Sequence, residues 1–112
     1  LVPMSRGILA TCYATLKEGV EPELVDAAYE KIYGKEFFIR LLGRGGYPST
    51  KEVRGSNFCD IGWHIDERTH RVIVLSAIDN LVKGAAGQAV QNFNIACGFD
   101  EKMGLDFVPM YP

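Results

Sequence analysis

Apolar residues recur at every second position between Gly7 and Lys17. One set consists of Ile8, Ala10, Cys12, Ala14 and Leu16, and the intervening set of Leu9, Thr11, Tyr13 and Thr15 is almost as apolar. A period of two places alternate residues on opposite faces of a strand. Because both faces are apolar, the pattern predicts a long strand in the centre of a sheet.

A helix is predicted after this strand. Pro22 suits a first helical turn, and Glu21 and Glu23 favour the positive end of the helix dipole. Apolar residues follow at three- and four-residue spacing, namely Leu24, Val25, Ala28, Tyr29 and Ile32. Gly34 is typical of a left-handed helix end. The predicted helix therefore has one apolar face to pack against the sheet.

The middle of the chain predicts three more strands and one long loop. A short strand is expected from Phe37 to Leu42, and the glycine-rich stretch from Gly43 to Gly55 is typical of a functional loop. Apolar and polar residues then alternate from Cys59 to Asp66, and Val72 to Ile78 is almost continuously apolar. These two segments predict an antiparallel hairpin whose second strand is buried on both faces.

A final helix is expected from about Asn80 to Cys97. Its predicted apolar stripe consists of Val82, Ala86, Val90, Phe93 and Cys97. Strands and helices in this order favour an α+β fold, in which helices cover one face of a largely antiparallel mixed sheet.

Composition narrows the class of protein without indicating an activity. The chain has 112 residues, 47% of them hydrophobic and 23% charged, which suits a single globular domain. The net charge is -2 and cationic residues are scattered, so nucleic acid is not an expected partner. No apolar run approaches the roughly 20 residues that span a bilayer, and no membrane association is expected.

The spacing of the cysteines suggests a cellular compartment, and the start of the chain suggests a fragment. Cys12, Cys59 and Cys97 are widely spaced, which favours neither a disulfide framework nor a zinc site, so we expect a reducing cytoplasm and no bound metal. They are predicted to be buried structural thiols. His64 and His70 are predicted to be exposed, and no nucleophile is assigned. Since the chain opens at Leu1 within an apolar run, we expect it to be a piece of a longer protein.

The start of the final helix is the first candidate site. Asp79 and Asn80 can cap it, and the free amides of its first turn attract anions or polar amide groups. Gly84 and Gly87 each cost a helix about 0.8–1.0 kcal/mol relative to alanine. Close approach of a ligand or tight packing on a neighbouring element would offset that cost, and the sequence leaves both open. Lys83 is either a phosphate ligand or a solvated lysine.

Two further segments could contribute to a site. Arg6 stands between Pro3 and Gly7 just before a strand, where it could bind a carboxylate or phosphate with two parallel hydrogen bonds or could simply face solvent. Ser56 and Asn57 end the long loop, where they either line a pocket or provide turn chemistry.

Three segments together carry a resemblance to a known family. They are VPMSRGILAT at residues 2–11, VRGSN at residues 53–57 and IDNLVKGAAGQAVQ at residues 78–91, followed by Asn94 and Ile95. In order and spacing they resemble N-acetyl-gamma-glutamyl-phosphate reductases over essentially the whole chain. The NLVKGAA part alone is also similar to aspartate-semialdehyde dehydrogenases.

The resemblance implies an NADPH-dependent reduction of an acyl phosphate to a semialdehyde in arginine biosynthesis. It also implies that the catalytic cysteine and histidine and the NADP-binding Rossmann domain precede this segment, so the chain should hold no catalytic residue and be inactive alone. Residues 1–112 would then form the C-terminal part of the substrate and dimerisation domain, with a fold like that of glyceraldehyde-3-phosphate dehydrogenase, in a homo-oligomer.

Site roles follow from the matching positions. The resemblance implies that Asn80, Lys83, Gly84 and Gly87 lie near the nicotinamide end of NADP. It also implies that Arg6, Ser56 and Asn57 contact the small-molecule substrate. A non-catalytic α+β module for self-association and an aspartate-semialdehyde dehydrogenase-like enzyme are the alternatives.

Overall fold

The computed structural model describes residues 3–110, which form four strands, two α-helices and a π-helical turn. Their order is β1 (Ile8–Thr15), α1 (Pro22–Tyr33), β2 (Ile39–Arg44), β3 (Cys59–Asp66), β4 (Arg71–Ile78), the π-helical turn (Val82–Ala86) and α2 (Gly87–Ala96). The predicted elements are all present, with strand ends that differ by one to two residues at most positions.

The strands form one sheet in the order β1-β4-β3-β2. β4 pairs antiparallel with both β1 and β3, whereas β2 and β3 are parallel. The predicted hairpin and the largely antiparallel mixed sheet are therefore confirmed. The prediction that β1 is central was wrong, because β1 pairs only with β4 among the described strands and most of its side chains are exposed. Its apolar pattern reflects uncovered surface, which a period of two cannot distinguish from burial.

Both helical segments lie on the same face of the sheet. The ring of Tyr29 in α1 stacks on Trp63 of β3 at 4.4 Å, and the Trp63 Nε1 donates to Asp26 Oδ1 at 2.7 Å. Gly84 of the π-helical turn lies beside the Ile78 side chain. Ile78 pairs with Cys59 of β3, which points to the same face as Trp63. The predicted helical cover on one face is confirmed.

The core is small. Its buried hydrophobic residues are Phe38, Val53, Trp63, Val72, Ala77 and Leu105. Burial of β4 on both faces was predicted too strongly, since Val72 and Ala77 are buried but the remaining apolar residues of the strand are only half-buried. The half-buried residues occur on both faces, since Val74 and Ile78 share the helix-covered face with Trp63 while Ile73 and Leu75 lie on the other.

The predicted apolar stripe of the last helix was wrong. Val82 is half-buried, but Ala86, Val90, Phe93 and Cys97 are exposed, while Gly87 and Asn94 face inward. The reason is the π-helical turn, in which Gly84 N–H donates to Asp79 O at 2.9 Å and Ala86 N–H to Leu81 O at 3.1 Å. These five-residue bonds rotate everything that follows relative to a regular α-helix.

Two smaller predictions also need correction. Gly34 ends α1 in a right-handed conformation, with φ of -62°, and not as a left-handed stop. Cys12 and Cys97 are exposed and Cys59 is half-buried, so buried structural thiols were wrongly predicted for the first two. None of the helices within residues 3–110 has the length and hydrophobicity to cross a membrane.

Candidate functional site

The carboxylate of Asp79 joins the segments that hold the predicted site residues. It directly follows the central strand β4 and is fully buried. Its Oδ1 accepts hydrogen bonds from the Leu81 N–H at 2.8 Å and the Val82 N–H at 3.1 Å. The predicted capping role of Asp79 at the final helix is thus confirmed.

The other carboxylate oxygen of Asp79 faces the opposite side. Its Oδ2 accepts the Gly55 N–H at 2.6 Å and lies 2.9 Å from Arg6 Nη2. Burial alone would raise the pKa of Asp79, but the bonds from Gly55, Leu81, Arg6 and Val82 together outweigh burial and lower it. Asp79 is therefore an anion at neutral pH, and sequence reasoning missed this second role. An aspartate directly after a buried strand signalled a cap but not the identity of a distant partner.

Asn80 ties the opening turn to the helix start. Its Oδ1 accepts the Gly7 N–H at 2.7 Å, across 73 positions of sequence. Asn80 does not cap the helix through its side chain, contrary to expectation. This bond places Arg6 and Asn80, predicted to bind substrate and cofactor respectively, beside one another.

Ser56 and Asn57 are fully buried behind this junction. The Ser56 hydroxyl donates to Val53 O at 2.8 Å, which is turn chemistry. The Asn57 Nδ2 donates to Gln91 Oε1 at 3.0 Å, and its Oδ1 has no hydrogen-bond donor within the described part of the chain. Both side chains support the site from inside the fold.

The side chain of Lys83 is half-buried at the start of the last helix. Its Nζ donates to Gln91 Oε1 at 2.7 Å and lies 5.5 Å from the centre of the Phe38 ring. Burial lowers the pKa of Lys83 and raises the pKa of the neighbouring Cys59 thiol. Gln91 in turn donates to Glu101 Oε2 at 3.2 Å, so Lys83 belongs to a polar cluster beneath α2.

The two glycines of the helix start differ. A Cβ on Gly87 would overlap Asn57 Oδ1 and stand 2.7 Å from Val82 Cγ1, so Gly87 allows close packing within the chain. A Cβ on Gly84 would meet nothing nearer than Ile78 Cδ1 at 3.4 Å, and the residue is exposed. Gly84 is the glycine whose surface is open to a ligand.

Arg6 lines a shallow cavity of about 250 Å³ on the other side of Asp79. The cavity is bounded by Pro3, Met4, Ser5, Arg6, Thr50, Lys51 and Arg54. Its three cationic residues suit a small anion. Arg6 uses Nη2 to pair with Asp79 and its side chain is 25% exposed, so other N–H donors of the guanidinium remain for a ligand. Its Nε–H is buried and has no acceptor among residues 3–110.

A family model described as semialdehyde dehydrogenase, dimerisation domain, matches residues 1–80. The chain belongs to this family. The matched part of the semialdehyde dehydrogenase domain contains the whole sheet together with Arg6, Ser56, Asn57 and Asn80. Lys83, Gly84 and Gly87 lie beyond it.

The curated relatives in this family are reductases. The chain is 59% identical over 112 residues to the N-acetyl-gamma-glutamyl-phosphate reductase of Desulfotalea psychrophila and 58% identical to that of Thermoanaerobacter sp.. The matches cover all of this chain but only 32% and 33% of those proteins, so the chain spans about a third of its relatives' length. The resemblance found in the sequence is confirmed.

Solved structures of semialdehyde dehydrogenases share the fold. Aspartate semialdehyde dehydrogenase II from Vibrio cholerae superposes with a TM-score of 0.68 at 22% identity, covering 87% of this chain and 29% of that one. The same enzyme complexed with ASA gives a TM-score of 0.67 at 20% identity. At this identity the likeness establishes the semialdehyde dehydrogenase fold and leaves the substrate open.

Proposed function

We propose that the chain is the C-terminal part of the substrate and dimerisation domain of an NADPH-dependent N-acetyl-gamma-glutamyl-phosphate reductase of arginine biosynthesis. The observation that carries this proposal is the 59% identity to such a reductase over all 112 residues. In the proposed reaction the acyl phosphate takes a hydride and releases phosphate, giving N-acetyl-glutamate semialdehyde and the oxidised nucleotide. The thiol nucleophile and the Rossmann domain would lie in the part of the protein outside this chain. The enzyme would act in the cytoplasm.

Arg6 is the proposed contact for the anionic substrate. The cavity beside it carries the side chains of Arg54 and Lys51, and the acyl phosphate substrate is anionic at both its phosphate and its carboxylate. The Arg6 side chain is partly exposed, and the N–H groups of its guanidinium that do not pair with Asp79 can donate to one of those oxygens. Ser56 and Asn57 act from behind, because their bonds to Val53 and Gln91 fix the corner at which Gly55 meets Asp79.

The helix start is the proposed neighbour of the nicotinamide, which supplies the hydride when bound. Gly84 and Asn80 fit this role, since Gly84 presents an open surface and the Asn80 amide lies at the first turn. Gly87 is buried and would shape the turn, whereas Lys83 is half-buried and bonded to Gln91 at the edge of an open cavity.

A homo-oligomer is the proposed assembly. The family description supports it, and β1 offers an edge strand with exposed apolar side chains that include Leu9 and Tyr13. Self-association without catalysis and reduction of aspartyl phosphate are the competing functions. Neither has support comparable to the identity with the reductases, since the aspartate semialdehyde dehydrogenase likeness is 22%.

The test uses the full-length protein that contains this chain. Phosphate-dependent reduction of NADP by N-acetyl-glutamate semialdehyde is followed by the absorbance of the reduced nucleotide, with aspartate semialdehyde as the matched substrate and NAD as the matched cofactor. We expect turnover with the acetylated substrate and preference for NADP. Turnover only with aspartate semialdehyde would support the second enzyme, and a folded protein without turnover on either substrate would support the self-association module.

A further inference from the structure

Asp79 contacts every segment to which a site residue was assigned. Its Oδ2 faces Arg6 and Gly55, the residue before Ser56 and Asn57. Its Oδ1 accepts the amides of Leu81 and Val82, and its peptide oxygen accepts the amide of Gly84. The two carboxylate oxygens thus divide the contacts, with the proposed substrate side on Oδ2 and the proposed cofactor side on Oδ1.

We propose that Asp79 is a positioning residue of the reductase, whose carboxylate fixes the guanidinium of Arg6 relative to the helix start. The substrate anion held by Arg6 would then lie at a set distance from the turn that receives the nicotinamide. This inference rests on the proposed function, because it assigns Asp79 a task within that site.

The contacts make Asp79 a rigid anchor. The side chain has two rotatable bonds, is fully buried and accepts four donors. The backbone beside Arg6 is held separately, by the bond from Gly7 N–H to Asn80 Oδ1. The side chain of the opening turn is therefore held by Asp79 and its main chain by the next residue, Asn80. In such a site a displacement of about 1 Å can cost roughly 100-fold in rate.

The change in charge, considered alone, predicts that Asp79→Asn binds the anionic substrate more tightly, whereas positioning predicts weaker binding. The carboxylate of Asp79 offsets the charge of Arg6 at 2.9 Å, so removing it leaves the cavity more cationic. If attraction between charges dominated, an anionic substrate would bind more tightly to Asp79→Asn. If positioning dominates, it binds more weakly, because an amide nitrogen in place of Oδ2 faces the Gly55 and Arg6 donors.

The test compares Asp79→Asn with Asp60→Asn in the full-length protein. Asp60 is the matched control because it is also buried and paired with an arginine, Arg40, but lies outside the candidate site. We expect Asp79→Asn to raise the KM for the acyl phosphate about 10- to 100-fold, because the displaced guanidinium loses its charge-assisted hydrogen bond to the substrate, and to weaken NADPH binding. Asp60→Asn should lower the melting temperature and leave both constants within about two-fold. A KM that is unchanged or lower in Asp79→Asn, or equally raised in both variants, overturns the proposal.

Two further measurements guard against a folding defect. Asp79→Ser keeps a good helix cap but cannot reach Gly55 or Arg6, so it should fold and show the same rise in KM. In an Arg6→Met background, Asp79→Asn should add little to the KM, since Asp79 acts through Arg6, and additive effects would overturn the positioning role. Absence of turnover in the wild-type protein would instead overturn the proposed function itself.

Discussion

Two buried aspartates, each paired with an arginine, differ in how completely the pair is satisfied. Arg40 forms a fork with Asp60, at 2.6 Å from Nε to Oδ1 and 2.8 Å from Nη2 to Oδ2, and also donates to Glu52 O. Arg6 reaches Asp79 through Nη2 at 2.9 Å and leaves its buried Nε–H without an acceptor in the described chain.

The difference separates a structural pair from one suited to binding. In the Arg40 pair, the parallel donors of the guanidinium are used within the fold, which suits stabilisation of the β2 and β3 strands. In the Arg6 pair, the carboxylate is saturated by backbone donors while the guanidinium retains hydrogen-bonding capacity toward a cavity. Similar chemistry at two places therefore predicts different consequences of mutation.

The largest expected effect comes from Arg6→Met in the full-length protein. A hydrogen bond to a charged group contributes roughly 1.5–3 kcal/mol, so losing it should lower kcat/KM about 10- to 150-fold. Steady-state kinetics with the acyl phosphate measure this, and Arg40→Met is the control with near-normal kinetics. Wild-type kinetics for Arg6→Met would remove Arg6 from the site.

Breaking the Arg40 pair is expected to lower the stability of the protein. Arg40→Met leaves the buried Asp60 carboxylate without its guanidinium. Breaking a fully buried pair costs roughly 3–5 kcal/mol, and we expect about 2 kcal/mol here because Arg40 is partly exposed to water. Denaturant unfolding measures the change. If Arg40→Met unfolds like the wild type, the fork does not stabilise the sheet.

The Arg6 pair also predicts a dependence on pH. The pKa of Asp79 is lowered from its ordinary 3.8 in the folded protein. A lowered folded-state pKa gives stability that is fully present above the unfolded value and is lost as pH falls through the folded value. Asp79→Asn should therefore destabilise the protein at pH 7 and progressively less below about pH 4. Unfolding free energies at several pH values measure this, with the exposed Asp106→Asn as the control for charge removal, and a difference that stays constant with pH would contradict it.

The sequence predicted the helices and strands better than it predicted what each of them packs against. The strands and helices follow local periodicity, and the cap at Asp79 follows from local chemistry, so both were predicted. The edge position of β1 depends on which strand pairs with it. The face that α2 turns inward depends on the five-residue bonds of the π-helical turn before it. The Arg6 and Asp79 pair joins residues 73 positions apart, and no local pattern contains such a contact.

The smallest expected effect distinguishes the two glycines next to the Arg6 pair. Gly84→Ala meets no atom nearer than 3.4 Å, and alanine favours a helix over glycine by about 0.8–1.0 kcal/mol, so the protein should be equally or slightly more stable. Gly87→Ala should destabilise it, because the new Cβ would overlap the buried Asn57 Oδ1. Thermal melting compares the two, and NADPH titration then tests whether the open surface at Gly84 receives the nucleotide. We expect Gly84→Ala to keep full stability but to bind NADPH less tightly, because its new methyl group covers the open surface. An unaltered affinity for NADPH would place the nucleotide elsewhere.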